Sequence, residues 1–317
     1  MMETKINKID KIVFPTDFSD LSMNALKVAV ELAKGHKASV YLVHSMELEY
    51  YAFSIEPYSS AVYTNMEALD ASKEHLEQLK SEIEQKESVK CFVNIEPGNP
   101  AHYICSVAAT EKADLIVMGT HGASGFREFF IGSNAYKVVK NAPCPVLTIP
   151  GSFKKTSFEK ILFPIRDTFG IEEKYELVRS IVMKNKVSVE VSGFVDQNHP
   201  DQITRVSNSL AKLKLRLVDD HIAFKSHIYY SEDIATDILK KSTEKEIDLL
   251  AINASLDFNW RNIFIGPYAQ QIVHHAQVPV LSFKPEFRQA DAEQSQLSVA
   301  EWAKKYSSTD PFAPAFW

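Results

Sequence analysis

Hydrophobic positions along the chain alternate between two periods. A short continuous apolar run at 11–16 reads as a buried strand. A helical stripe over about 19–34 follows, with Ser19 or Asp20 able to cap it and Gly35 able to end it. A second strand is expected at 38–45. Between 65 and 87, Met66, Leu69, Leu76, Leu79 and Ile83 fall on one stripe among Glu and Lys, as in a helix half buried against a sheet. A third strand at 89–95 leads to Asn99 and Pro100, which read as N-cap and first helical residue. That helix runs to about Thr110 with Ile104, Val107 and Ala108 inward. LIVMG supplies a fourth strand, Gly132 or Ser133 opens a short helix through Val138 and Val139, and PVLTI supplies a fifth strand. Strands alternating with helices predict a parallel sheet covered on both faces, with right-handed crossovers.

The same plan recurs further along. KIVFPTD at 11–17 returns as KILFPIR at 160–166, and ASVYLVH at 38–44 is answered by VSVEVSG at 187–193, both at an offset of 149. ADLIVMG (113–119) answers IDLLAIN (247–253), FFIGSNA answers IFIGPYA, and CPVLTIP answers VPVLSFK, all at an offset of 134. The first copy therefore carries about 15 extra residues between its second and third strands, in the 47–64 stretch, a candidate loop or lid. The expected division is 1–150, 151–285 and a tail, 286–317, with no counterpart. In the tail Leu297, Val299, Trp302, Ala303 and Tyr306 can line a short helix, while PFAPAFW is irregular. Docking of its Trp and Phe residues onto one of the domains is the alternative to a partly ordered tail.

Composition agrees with two globular domains in 317 residues, at 45% hydrophobic and 24% charged. A net charge of -6 leaves no broad basic surface, which argues against nucleic acid as a partner. Cys91, Cys105 and Cys144 form an odd set without Cys-x-x-Cys spacing and read as buried, inert thiols on strands or helices. With no apolar segment at the start and no 18-residue apolar run, the expectation is a cytoplasmic protein without a membrane span.

The segment GTHGASGFREFFIGSN, Gly119 to Asn134, joins the fourth strand to the following helix. Glycine lets a backbone approach a ligand closely, and unpaired N–H groups at a helix start, here at Gly132, Ser133 and Asn134, attract anions such as a phosphate chain. The segment lacks the Gly-Lys-Ser/Thr of a Walker loop and the Gly-x-Gly-x-x-Gly of a dinucleotide fingerprint. It also departs from the Gly-x-Ser-x-Gly of a hydrolase elbow, which leaves Ser124 a loop hydroxyl.

Gly119, Thr120 and His121, Gly122, nine residues from Ala123 to Ile131, then Gly132 and Ser133 spell Gly-x2-Gly-x9-Gly-Ser. Together with Phe-Pro-Thr-Asp-Phe-Ser at 14–19, this resembles the ATP-binding members of the universal stress proteins, and the resemblance covers both copies, roughly 8–285. It implies two tandem Rossmann-like domains, similar to adenine nucleotide alpha hydrolases, each an α/β five-stranded parallel sheet of order 3-2-1-4-5. Ligands of such sheets lie where the winding reverses, between strands one and four. The implied ligand is ATP or AMP, with Mg as an optional companion. By the same resemblance Asp17 contacts the sugar and base, Ser45 touches adenine through its main chain, and Pro15, Thr16, Met118, Gly119 and His121 belong to the nucleotide-binding set. Gly122, Gly132, Ser133 and Asn134 would wrap the phosphates.

Blander roles stand beside these. Asp17 can cap the first helix, and His121 reads as a loop residue near the phosphates and not as a general base. Arg127 and Lys137 read as solvated charges, and His44 as a strand-end histidine with a local hydrogen bond. Neighbouring His274 and His275 diverge on a helix and suggest no metal site. In the second copy Asn253 stands for Gly119, Leu256 for Gly122, Pro267 for Ser133 and Arg166 for Asp17, and Gly266 alone persists. These changes remove the basis of a nucleotide pocket there, unless Arg166 welcomes a different anion. The resemblance implies that the two domains pair through their fifth strands as an intrachain pseudo-dimer, with further association of chains open. The function expected is a nucleotide-binding stress or signalling module with an unidentified protein partner. A slow ATP hydrolase and a ligand-free interaction scaffold are the alternatives, and no catalytic residue is singled out.

Overall fold

A computed structural model describes residues 8–46, 60–120, 131–168, 170–182, 187–254 and 267–284. The His121 to Phe130 stretch with Gly122, most of the 47–64 insert, Leu256, Gly266 and the 286–317 tail lie outside the described residues.

The first half runs β1 (Lys11–Pro15), α1 (Asp20–His36), β2 (Ser39–His44), α2 (Ser60–Glu87), β3 (Cys91–Ile95), α3 (Pro100–Thr110), β4 (Leu115–Gly119), α4 (Ser133–Asn141) and β5 (Val146–Ile149). The second runs β6 (Lys160–Ile165), α5 (Ile171–Val182), β7 (Ser188–Asp196), α6 (Ile203–Asp219), β8 (Ala223–Ser231), α7 (Ile234–Glu244), β9 (Leu249–Asn253), α8 (Pro267–His275) and β10 (Val280–Phe283). The continuous apolar runs become strands because both of their faces are covered: Ile12 and Phe14 enter one core layer and Val13 the other, all fully buried. The inward positions expected on α3, Ile104, Val107 and Ala108, are buried, and Asn99 caps that helix by accepting from the His102 N–H. Ser19 caps α1 through the Ser22 N–H. Gly35 does not end α1. The helix continues through buried His36, and Lys37 takes the left-handed closing position at φ 58°.

The described residues form one ten-stranded sheet of order β3-β2-β1-β4-β5-β10-β9-β6-β7-β8, an α/β fold with a mostly parallel sheet. Its one antiparallel pairing is the central one, where Val280 lies opposite Thr148, Leu281 opposite Leu147 and Ser282 opposite Val146. The Thr148 hydroxyl adds a hydrogen bond to the Val280 carbonyl at 3.3 Å. Both apolar layers run across this seam, and the Lys284 ammonium reaches the Lys140 carbonyl on its far side. Among the described residues no helix is long and apolar enough to cross a membrane.

One polar device is repeated in both halves. The Asp114 carboxylate accepts from the Asp10 and Lys11 N–H groups at 2.8 and 2.9 Å, tying the start of β1 to the start of β4. Asp248 accepts in the same way from the Glu159 and Lys160 N–H groups, at 3.0 and 3.1 Å, ahead of β6. Asp248 is buried, so Asp248→Ala strands two main-chain donors. The expected loss is about 1–3 kcal/mol, read as a lower urea midpoint at unchanged slope.

Candidate functional site

The carboxyl ends of β1, β2 and β4 converge at one edge of the front half. The register Ile12↔Leu115 and Val13↔Ile116, carried along both strands, sets Pro15 level with Met118 and Thr16 level with Gly119. On the other side Pro15 pairs with Val43, which brings the segment after β1 alongside His44 and Ser45. Pro15, Thr16, Met118 and Gly119 are buried and form the floor, whereas Asp17 is exposed above it.

Asp17 braces the turn into α1. Its Oδ1 accepts from the Ser19 N–H at 3.1 Å and the Ser19 hydroxyl at 2.6 Å, and Ser19 in turn caps the helix. Asp17 is therefore one step removed from the cap. Phe18 takes a left-handed backbone at φ 63°, unusual for an aromatic residue, held by its N–H on the Thr16 hydroxyl at 2.9 Å. The Phe18 ring stacks on His75 of α2 at 4.4 Å and 8° and lies 4.8 Å from His44, while His44 Nδ1 contacts the Thr16 carbonyl at 2.8 Å. His44 thus makes the local bond expected of it. The sequence reading gave Phe18 and His75 no role. An aromatic residue directly after a strand-end Asp was the one available signal, and His75 carried none because it comes from a helix whose stripe is otherwise apolar.

Ser45 uses its hydroxyl on the Gly98 carbonyl at 3.1 Å, and the Gly98 N–H returns to the Met46 carbonyl, so the loops after β2 and β3 are tied together. Gly98 sits at φ 141°, where a side chain would be strained.

The loop after β4 is fixed at both of its ends. The Thr120 N–H donates to Ile149, and the Gly132 N–H donates to the Thr120 carbonyl at 2.7 Å. This corrects one expectation: the Gly132 amide is occupied in closing the loop and is not available to a ligand. Gly132 is the N-cap of α4 and makes no side-chain cap, because glycine has none to offer. The N–H groups of Ser133 and Asn134 behind it have no hydrogen-bond partner among the described residues, and both residues are exposed. Gathered at one edge are Asp17, Ser45, the β4 end and an uncapped helix start, an arrangement suited to an anion with a polar body attached. His121 and Gly122 fall outside the described residues, as does Arg127. Lys137 is exposed, as expected of a solvated charge.

The universal stress protein family profile matches residues 8–150. Universal stress protein MJ0531 of Methanocaldococcus jannaschii is 36% identical over 143 residues, which is 45% of this chain and 83% of that protein. The chain belongs to the universal stress protein family. A Thermus aquaticus universal stress protein is 35% identical over 139 residues, covering 44% of this chain and 96% of its own length. The crystal structure of a universal stress protein from Archaeoglobus fulgidus matches 86% of this chain and 98% of its own at a TM-score of 0.67 and 18% identity, a likeness of fold. The family profile stops where the front half of this universal stress protein ends.

In the rear half the corresponding edge is built differently. Asn253 ends β9 buried, Pro267 opens α8, and the Arg166 guanidinium lies 3.6 Å over the ring of Tyr268. Cys91, Cys105 and Cys144 are free, but only Cys91 is buried as expected, while Cys105 and Cys144 are half-buried; desolvation still pushes the Cys91 and Cys144 thiols up to about 12. Cys144 lies in the turn before β5 and not on an element, since Pro143 and Pro145 flank it.

Proposed function

We propose that this universal stress protein binds an adenine nucleotide, ATP or AMP, in the front half, and that the nucleotide acts as a stress or signalling input. One observation carries the reading: α4 begins without a side-chain cap, with the Ser133 and Asn134 amides lacking a partner among the described residues, at the edge where β1 and β4 end side by side. Those amides and the Ser133 hydroxyl suit the phosphates, and Gly132 keeps side-chain bulk away from them. Asp17 and Ser45 suit the ribose and adenine ends, with Pro15, Thr16, Met118 and Gly119 beneath. His121 and Gly122 belong to the same reading through the spaced glycine motif. Magnesium is an optional companion of the ATP phosphates in this reading.

The domain reading is 1–150 as the nucleotide-binding domain and 151–285 as a second domain of the same plan. The rear domain completes an intrachain pseudo-dimer through the β5–β10 seam, and the setting is cytoplasmic. Support comes from the repeat at offsets 149 and 134, the seam pairing and the repeated Asp114 and Asp248 clamps.

The test is to denature the purified full chain and chromatograph what is released. ATP or AMP is the expected product. A ligand-free scaffold releases nothing and shows no melting response to added ATP. A slow hydrolase releases ADP and forms it from added ATP.

A further inference from the structure

We infer that β8, the rear edge of the sheet, is the surface through which two copies of this chain join, antiparallel about a twofold axis, into one continuous sheet. β8 pairs with β7 alone, over nine residues from Ala223 to Ser231, so its other side is an open edge among the described residues. The bonds to β7 use its odd-numbered residues, as where the Ser231 carbonyl accepts from the Gln197 N–H at 3.0 Å. Main-chain groups alternate sides along a strand, so those of Phe224, Ser226, Ile228 and Tyr230 point away from β7.

The opposite end of the sheet is protected. β3 there is five residues long and is followed by Pro97, which cannot donate to a further strand. The registers Val40↔Cys91 and Val189↔Phe224 set Tyr230 where Pro97 stands, and Tyr230 is 55% exposed. α6 differs from α2 in the same sense. With buried Leu76 and Ile83 matched to Leu210 and Leu217 at offset 134, Ala211, Leu215 and Val218 take the places of Glu77, Ser81 and Glu84. Leu215 is 68% exposed and Val218 57%. The rear edge thus lacks the proline and carries apolar surface where the front is polar.

These residues share one face of the sheet. Phe224 packs in the core layer of Leu213 and Leu217, and a Cβ on Gly193 would fall 2.8 Å from Val206 of α6 and 3.4 Å from Ile228. Arg205 and Arg216 bind Asp167 and Glu176 on the α5 side, so Ala211 and Val218, on the opposite flank of α6, overlook the open edge with Leu215 beside them. A twofold axis perpendicular to the sheet sets both copies of α6 on this face, above a trough floored by Ile228 and Tyr230. Even-numbered residues then meet even-numbered ones, so the outward hydrogen-bonding groups and the side-chain faces both match. Charge selects the same direction. Exposed Lys225 stands near the start of β8 and exposed Glu232 and Asp233 just past its end, so antiparallel copies set cation near carboxylate, whereas parallel copies set like near like. The two halves of the chain already join edge to edge in this way at the β5–β10 seam.

The experiment is sedimentation velocity of the full chain over a range of about 1–100 μM, with amide hydrogen exchange on the same samples. Wild type is expected to reach twice the 35.8 kDa chain mass, with exchange of the Ser226, Ile228 and Tyr230 amides slowing as concentration rises. Ser226→Pro removes an outward N–H that the β7 ladder does not use, and Tyr230→Lys puts a charge on the exposed edge. Each is expected to weaken self-association by about tenfold or more, and Tyr230→Lys to keep the wild-type circular dichroism. A wild-type chain that stays monomeric at the highest concentration, a dimer that survives in either variant, or one that leaves these amides exchanging freely would overturn the assignment. So would dimerisation only after removal of residues 286–317, because the edge would then belong to the chain's own tail. None of these outcomes depends on whether the front half takes ATP.

Discussion

Gly132→Val is expected to abolish the rise in melting temperature that ATP produces, while leaving the melting curve without nucleotide almost unchanged. Gly132 has φ -63° and ψ 152°, an extended conformation open to any residue, so valine introduces no backbone strain there. Its N–H still closes the loop on Thr120. What changes is the space in front of the Ser133 and Asn134 amides, where a branched side chain would meet the phosphates of the proposed nucleotide. At a hundred times its dissociation constant ATP adds about 2.7 kcal/mol to the half that binds it. For a domain of this size that is about 5–10 °C by differential scanning fluorimetry. Gly266→Val, at the matching rear position, is expected to leave the shift intact, and equal effects of the two would refute a single nucleotide site.

The second large effect is expected at the seam. Leu281 is 1% exposed and paired on both sides, with Ala251 of β9 and Leu147 of β5. Leu281→Pro removes a main-chain donor from the middle of the sheet and forces a ring into a packed layer, with a loss of about 3 kcal/mol or more. Because both apolar layers cross the seam, the damage should also uncouple the halves. Calorimetry is expected to show one transition splitting into two, whereas Leu281→Val should lower a single transition modestly. A single unshifted transition in the proline variant would show that the seam carries little of the stability.

Much of this was legible because the physics was local. Continuous apolar runs marked the doubly covered strands, and Asn99-Pro100 marked a helix start, since capping chemistry involves only neighbouring residues. The Asp114 and Asp248 clamps stood in the repeated Ala/Ile-Asp-Leu segments, but their long-range purpose was not readable, because the donors lie about a hundred residues away. Gly35 misled because any left-handed position can end a helix, and exposed Lys37 could take it at small cost. The front crevice could be placed from the glycine spacing, yet the closure of Gly132 on Thr120 could not, since it depends on where the loop returns. Lys174, 2% exposed with its ammonium donating to the Pro164 carbonyl, could not be told from a surface lysine, because one lysine in an amphipathic helix gives no sign of its burial.

The antiparallel pairing of β5 with β10 reverses the direction of every strand in one half relative to the other. The edge where β1 and β4 end and the edge where β6 and β9 end therefore face opposite ways. A molecule held at one edge could not touch one held at the other. A change at one edge could reach the other only as a shift in packing across the β5–β10 seam.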